Sequence, residues 1–266
     1  MTSHIKRLFC GFLAAVLACT AFSACNTETE PAEKTAKTRV IVPATPAVGV
    51  GRIMPEKHEP KTFTVLIDPG HGFEDGGTGE GVLPDGILEK DINLAIANYL
   101  NEDLTEYGFK TIMIHDGQTF PQSVNGDNNN KFNPNERVAY ANTLDIDYYI
   151  SIHVNSHTDS SASGVRAYYQ QTWVKENENS EAITRYVVNA IDDAFVGDPD
   201  VVTHNDVSLA VIRETKAAAT LVEVGFCTNP TDAANMILPE WQEQMAQAMA
   251  DGIHQYYLDN VEPSSR

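Results

Sequence analysis

Basic residues are scarce in this chain of 266 residues: 18 lysines and arginines face 37 aspartates and glutamates, a formal net charge of −19. Phosphate recognition needs clustered cations, so a nucleic-acid partner is excluded, and adhesion of the protein surface itself to anionic lipid is disfavoured. Cysteine is scarcer still. Cys10, Cys19 and Cys25 crowd the amino end and leave Cys227 alone, so the body of the chain has no disulfide framework. Cys227 stands among apolar neighbours and reads as a small core side chain. The short metalloprotease motif His-Glu-x-x-His is absent, so any metal ligands must converge from separate elements. No internal repeat is visible. What remains, with 42% hydrophobic residues, is enough for one domain of ordinary size plus appendages.

The amino end carries Lys6 and Arg7, then an uncharged run from Leu8 to Ala24, the layout of a secretory signal. The run is too short and too rich in small residues for a comfortable membrane span. It ends Ala21-Phe22-Ser23-Ala24-Cys25, which resembles a bacterial lipoprotein box with Phe22 where leucine is usual. The resemblance implies a signal peptide over 1–24, cleavage before Cys25, lipidation of its sulfur, and a protein of the cell envelope that meets the membrane only through that lipid. Residues 25–61 are rich in Thr, Glu, Ala, Pro and Lys and read as a tether, whose roughly 35 residues span about 30 Å root-mean-square when flexible. The folded domain is expected over 62–259, with a short tail over 260–266.

Within the domain, apolar runs alternate with helical periodicity. Phe63 to Ile67 reads as a strand, followed by a helix over Lys90 to Leu104 with Ile92, Ile96, Tyr99, Leu100 and Leu104 on one face. Gly108 closes that helix and Phe109 to Ile114 reads as the second strand. A polar loop from Asp116 to Asn133 includes four consecutive Asn or Asp from Asp127 to Asn130. Next come a helix over Asn135 to Leu144 behind Pro134, a strand over Tyr148 to Ile152, and a strand over Gly164 to Gln170. An apolar stripe runs from Ala182 to Ala194, then a loop from Val196 to Asp206, strands over Val207 to Ile212 and Ala219 to Val224, and a helix from Glu240 to about Leu258. The alternation predicts the α/β class: one three-layer domain with a twisted, mostly parallel or mixed sheet of about six strands between helices. If the strands are parallel, their carboxyl ends share one edge, where open α/β sheets place ligands.

Chemistry-bearing residues sit where such an edge is expected. His71 follows a Pro-Gly turn after strand one, Glu89 opens the first helix, and His153 and Glu223 end strand runs. A catalytic zinc needs three ligands of the His, Glu or Asp type and one open position, and His71, Glu89 and His153 supply that set. Each has a plainer explanation: a lone histidine is often structural, and a carboxylate at a helix start is favoured by the helix dipole. Glu223, flanked by apolar residues, is costly to bury unless it is paired or functional. It either acts as general base and acid beside a metal-activated water or pairs with an arginine such as Arg137 or Arg213.

Five stretches in order are Asp68-Pro69-Gly70-His71-Gly72, Glu89-Lys90-Asp91-Ile92-Asn93-Leu94, Glu136-Arg137-Val138-Ala139-Tyr140-Ala141-Asn142, Ser151-Ile152-His153-Val154-Asn155, and Leu221-Val222-Glu223-Val224-Gly225-Phe226-Cys227-Thr228-Asn229-Pro230. Together they resemble the zinc-dependent N-acetylmuramoyl-L-alanine amidases of the type-3 family, over about Thr62 to Leu258. The resemblance implies one Zn²⁺ held by His71, Glu89 and His153, with Glu223 catalytic. The substrate it implies is peptidoglycan, cut at the amide between N-acetylmuramic acid and L-Ala of the stem peptide, by a monomer whose activator, if any, the sequence does not name. Asp68, Asn155, His157 and Arg137 are candidates for orienting ligands or touching substrate. The chain departs from the family at Phe73-Glu74, where glycine is usual, and at Arg166, where glutamate is common. Two rivals share the residues: a wall-binding lipoprotein without turnover, and a zinc carboxypeptidase acting on stem peptides.

Overall fold

The computed structural model describes residues 60–78, 83–121, 132–170, 179–195, 202–205 and 208–262. The signal, Cys25, nearly all of the tether and the Asp127–Asn130 run lie outside the described residues, as does most of the tail.

Six strands among the described residues form one sheet: β1 (Thr64–Pro69), β2 (Lys110–Met113), β3 (Tyr148–Asn155), β4 (Arg166–Tyr169), β5 (Val202–Asn205) and β6 (Ala218–Phe226), in the spatial order β2-β1-β3-β6-β4-β5. β2, β1, β3 and β6 are mutually parallel, and β4 is antiparallel to β6 and parallel to β5. The sheet is therefore mixed, and β1, β3 and β6 bring their carboxyl ends to one edge. Six α-helices among the described residues accompany it: α1 (Glu89–Glu106), α2 (Pro134–Ala141), α3 (Ser180–Ala194), α4 (Ala210–Arg213), α5 (Pro230–Met236) and α6 (Pro239–Asn260). No described helix is long and apolar enough to cross a membrane.

Alternation along the strands, with successive side chains on opposite faces, splits the core in two. On one face Val65, Ile67, Tyr148, Ile150, Ile152, Val154, Val222 and Val224 pack against α1, α3 and α6. On the other, Leu66, Tyr149, Ala219 and Leu221 pack against Val138 and Ala141 of α2 and Val211 and Ile212 of α4. The first face is covered by helices of 18, 15 and 22 residues, the second by helices of 8 and 4. Asp68, Ser151, His153 and Glu223 share the parity of the thinly covered face. They continue past the point where its apolar residues stop.

Most expected elements are present with ends moved by at most three residues. Two are not. The strand expected over Val207 to Ile212 is replaced by the short helix α4, and the strand next to β4 is β5, inside the stretch expected to be a loop. Val211 and Ile212 bury against the thin face from a helical turn, and a short apolar run carries no periodicity long enough to tell the two apart. The helix α5 was not anticipated. Its start is written in the chain: the Asn229 side chain accepts from the backbone N–H of Thr231 (2.9 Å) and Asp232 (3.1 Å), with Pro230 at the first helical position. Cys227 is buried, as its neighbours suggested.

Candidate metal centre and catalytic carboxylate

β1 delivers its histidine through a turn that other parts of the chain hold in place. His71 has φ +61°, a left-handed conformation that costs a non-glycine residue energy and persists only where the surroundings enforce it. The enforcing group is Arg137 of α2. Its Nη2 donates to the His71 carbonyl at 2.6 Å, its Nη1 to the Pro69 carbonyl at 3.1 Å and to the Asp68 carboxylate, and its Nε to the Phe132 carbonyl at 2.9 Å. Asp68 is fully buried, and it also accepts from the hydroxyls of Tyr149 and Ser151, the latter at 2.9 Å. Burial alone raises a carboxyl pKa, but here the Arg137 charge and the Tyr149 hydrogen bond overcome it and hold Asp68 below the usual carboxylate range. Gly70 must lack a side chain, because a Cβ there would lie 2.3 Å from the His153 ring.

Glu89 is the first residue of α1 and is 1% exposed. One of its oxygens lies 3.2 Å from Nε2 of His71 and 3.1 Å from Nδ1 of His153, and it accepts the Val154 N–H at 2.9 Å. The other accepts the Thr78 N–H at 2.5 Å. Gly77, at φ +77°, makes room for it: a Cβ there would lie 2.5 Å from that oxygen. The His71 and His153 rings meet edge to face at 4.9 Å between centroids. Burial works against charge on His71, yet the hydrogen bond and charge of Glu89, with Asp75 beyond, raise it to about 9. Burial likewise resists charge on Glu89, and its bonds to His153 and His71 more than offset this and keep it ionised.

One atom from each of these three residues lies within 4.8 Å of the others. Two imidazoles and one carboxylate, converging from three elements on one buried point, fit Zn²⁺. A deeply buried carboxylate whose oxygen is shared between two imidazole nitrogens is what a cation site looks like when protons stand in for the cation.

Glu223 lies on β6 directly opposite His153 in register. Its Oε2 is buried without a hydrogen-bond partner, and burial, reinforced by the nearby Glu89 charge, pushes its carboxyl up to about 7 against the opposing pull of His153 and His71. The arginines that were its alternative partners are engaged elsewhere: Arg137 with Asp68, and Arg213 with Glu214 at 2.6 Å. The remaining candidates divide. Asp68 and Arg137 orient the His71 turn from behind. His157 is exposed, its backbone N–H bonded to Thr228 and its Nδ1 accepting from the Asp159 N–H. The Asn155 side chain accepts from the Ser156 N–H at 2.7 Å. Neither His157 nor Asn155 has a hydrogen bond to His71, Glu89, His153 or Glu223.

Four side chains that sequence reasoning missed complete the site. Asp75 puts Oδ2 at 2.9 Å from Nδ1 of His71, close enough for an ion pair though not aligned as a hydrogen bond. Asn93 donates to the Gly70 carbonyl at 3.1 Å and to Glu89 at 3.4 Å. Tyr149 and Ser151 anchor Asp68. Asn93 is four residues after Glu89 on one helix, and Tyr149, Ser151 and His153 alternate on one strand, so helical and strand periodicity carried a signal for these. Asp75 sits in a loop and carried none.

Fold and site together define the class: an α/β protein presenting a His-Glu-His donor set and a buried, unpaired carboxylate at the carboxyl edge of its sheet. The chain belongs to the N-acetylmuramoyl-L-alanine amidase family, whose model matches residues 65–255. It is 33% identical over 194 residues to the uncharacterized protein YqiI of Bacillus subtilis, covering 73% of this chain and 84% of that one. It is 30% identical to the N-acetylmuramoyl-L-alanine amidase LytC of the same organism, covering 82% of this chain but 40% of the larger relative. Among solved structures, the amidase AmiC2 of Nostoc punctiforme matches with a TM-score of 0.62 at 28% identity, covering 75% of this chain and 99% of that one. The reaction class is therefore hydrolysis of peptidoglycan at the amide joining N-acetylmuramic acid to L-alanine.

Proposed function

We propose that this amidase works with one Zn²⁺ held by His71, Glu89 and His153, and that Glu223 handles the proton. When bound, zinc supplies a nucleophilic water of lowered pKa and polarises the scissile carbonyl. Glu223 accepts the water proton as the oxygen attacks the lactyl carbonyl, then returns it to the nitrogen of L-alanine as the carbon–nitrogen bond breaks. The products are a lactyl carboxylate and a free amine. A buried carboxylate with an elevated pKa suits both halves of that transfer. Asp68, Arg137 and Asn93 hold the His71 turn and Glu89 before substrate arrives, so little reorganisation is left for the reaction step.

The observation that carries this reading is the unpartnered Oε2 of Glu223, buried opposite His153 on the same sheet face. Zinc analysis of His153→Ala together with mass spectrometry of digested murein tests it. The expected result is loss of metal in the variant and, from the native chain, stem peptides with free L-alanine amino ends. Stoichiometric zinc of unchanged affinity in His153→Ala would remove that ligand, and release of a terminal D-alanine instead would favour the carboxypeptidase.

We infer further that the chain is exported and anchored in the cell envelope through lipid on Cys25, with residues 25–61 as a tether to the domain at 62–259. The uncharged run ending at Cys25 supports this. Palmitate should label the native chain and not Cys25→Ala; equal labelling of both would rule out the anchor.

A further inference from the structure

The backbone around His71 is folded against its preferences. His71, Gly72 and Phe73 have φ of +61°, +126° and +56°, so two of three consecutive left-handed residues carry side chains. Such a run persists only where neighbours impose it. Arg137 imposes part of it from α2. A second group meets the same turn from the segment that follows β2: His115, 3% exposed, which neither the donor set nor the proton transfer uses. We propose that His115 is a positioning residue for the metal centre, holding the turn from Pro69 to Gly72 and, through it, the ring of His71. The proposal rests on the zinc reading above and adds a residue to it.

Both ring nitrogens of His115 are engaged. Nδ1 accepts the Gly117 backbone N–H at 3.2 Å, so it carries no proton, and the proton of the neutral ring is on Nε2. Nε2 lies 2.9 Å from the Pro69 carbonyl oxygen and therefore donates to it. Arg137 Nη1 donates to the same oxygen at 3.1 Å, so His115 makes the shorter of its two bonds. The other end of that peptide is fixed as well, because the Gly70 N–H donates to the Ile152 carbonyl at 2.9 Å.

The peptide held in this way is the one that needs holding. A Cβ at Gly70 would collide with the His153 ring, so the chain must place its most conformationally free residue directly before a metal ligand. Three successive peptide oxygens then receive side-chain donors: Pro69 from His115 and Arg137, Gly70 from Asn93 at 3.1 Å, and His71 from Arg137 at 2.6 Å. The backbone on both sides of His71 is thereby fixed, and its ring meets Glu89 at 3.2 Å. His115 also packs on the far side of the ligand. A Cβ at Gly72 would lie 3.1 Å from its ring, and the Phe73 and Phe120 rings meet it edge to face at 6.0 and 5.0 Å between centroids.

Two substitutions separate the ring's bonds. In His115→Gln the amide nitrogen reaches the place of Nε2 and can still donate to Pro69, while the bond from Gly117 is lost. In His115→Asn the side-chain oxygen reaches the place of Nδ1 and keeps the bond from Gly117, while Pro69 loses its donor. Zinc affinity by chelator competition and the melting temperature of the metal-free protein are measured on the full-length chain. The zinc Kd should rise about tenfold in His115→Asn, the lower end of what loss of a group supporting a metal ligand costs. In His115→Gln it should stay within about twofold of native, whichever variant melts lower. Independently of any variant, nitrogen-15 NMR of the native chain should find His115 neutral with its proton on Nε2. A proton on Nδ1, an unchanged zinc Kd in His115→Asn, or losses of affinity that simply follow the losses in melting temperature would overturn the proposal and leave the zinc reading intact. A native chain that binds no zinc would overturn the zinc reading itself.

Discussion

The two faces of the sheet are built from the same strands and do opposite things. On the face under α1, α3 and α6, the inward residues of β1, β3 and β6 from Val65 to Val224 are apolar apart from the Tyr148 hydroxyl and Thr220, which shares a 2.6 Å hydrogen bond with Thr184 of α3, and no carboxylate or imidazole intrudes. On the face under α2 and α4, apolar residues occupy only the amino half of the strands. Asp68 and Ser151 follow, then His153 and Glu223 at the edge. Long helices can bury a full strand length of hydrocarbon, and short ones leave the carboxyl half for groups whose burial costs free energy. The thick face stabilises the domain, and the thin face spends part of that stability on holding charged groups in a fixed geometry.

Substitutions should separate these roles. The largest effect belongs to the edge of the thin face: Glu223→Gln keeps size and should keep zinc while kcat falls by about 10²- to 10⁴-fold. Normal turnover with normal zinc and murein binding would take Glu223 out of the reaction, and loss of zinc would make it a ligand. Next comes the middle of that face, where Arg137→Ala strands the buried Asp68 charge. A loss of about 3–5 kcal/mol in urea unfolding is expected, along with weaker zinc binding because the His71 carbonyl loses its donor. A variant weakened in stability alone would show that the turn is held without Arg137. On the thick face, Leu100→Ala should cost about 2–5 kcal/mol of stability, with zinc stoichiometry and kcat of the folded protein unchanged. A selective loss of zinc there would break the separation of the faces.

The smallest effect is a pH dependence that differs with and without metal. In the metal-free chain Glu223 sits at about 7, above its ordinary 4.5, because burial disfavours its charge. Its stabilising contribution is full below 4.5 and is lost as pH rises through 7. His71 is raised from 6.5 to about 9 despite burial, by Glu89 and Asp75, so its contribution is full below 6.5 and is lost through 9. Both slopes have one sign, and the melting temperature measured in chelator should fall across that window, less steeply at its lower end in Glu223→Gln. Zinc needs neutral imidazoles, so the gain in melting temperature on adding it should grow with pH over the same range. A gain that shrinks with pH would exclude His71 as a ligand.

Long periodic segments were legible without the structure. α1, α3 and α6 each carry several turns of apolar spacing, and β1, β3 and β6 are continuous apolar runs because both their faces are buried. β5 and α4 were not legible, since four residues hold barely one period of either pattern. The donors His71, Glu89 and His153 were readable as chemistry-bearing residues at strand and helix ends, and their ordered motifs as an amidase pattern. The support behind them was readable only where it shared an element with a donor, as Asn93 does with Glu89.

The sequence by itself determined the alternation of elements, the lone Cys227 in the core and the residue types at the ends of the strands, because these depend on local spacing and composition. Only the tertiary structure decided that Glu223 is unpaired. That outcome depends on Arg137 turning to Asp68 and Arg213 to Glu214, a choice between partners far apart in the chain that no local pattern encodes. The same holds for the turn at His71: Arg137 of α2 reaches the carbonyls of Pro69 and His71 across separations of 68 and 66 residues, and sequence spacing contains no measure of that distance.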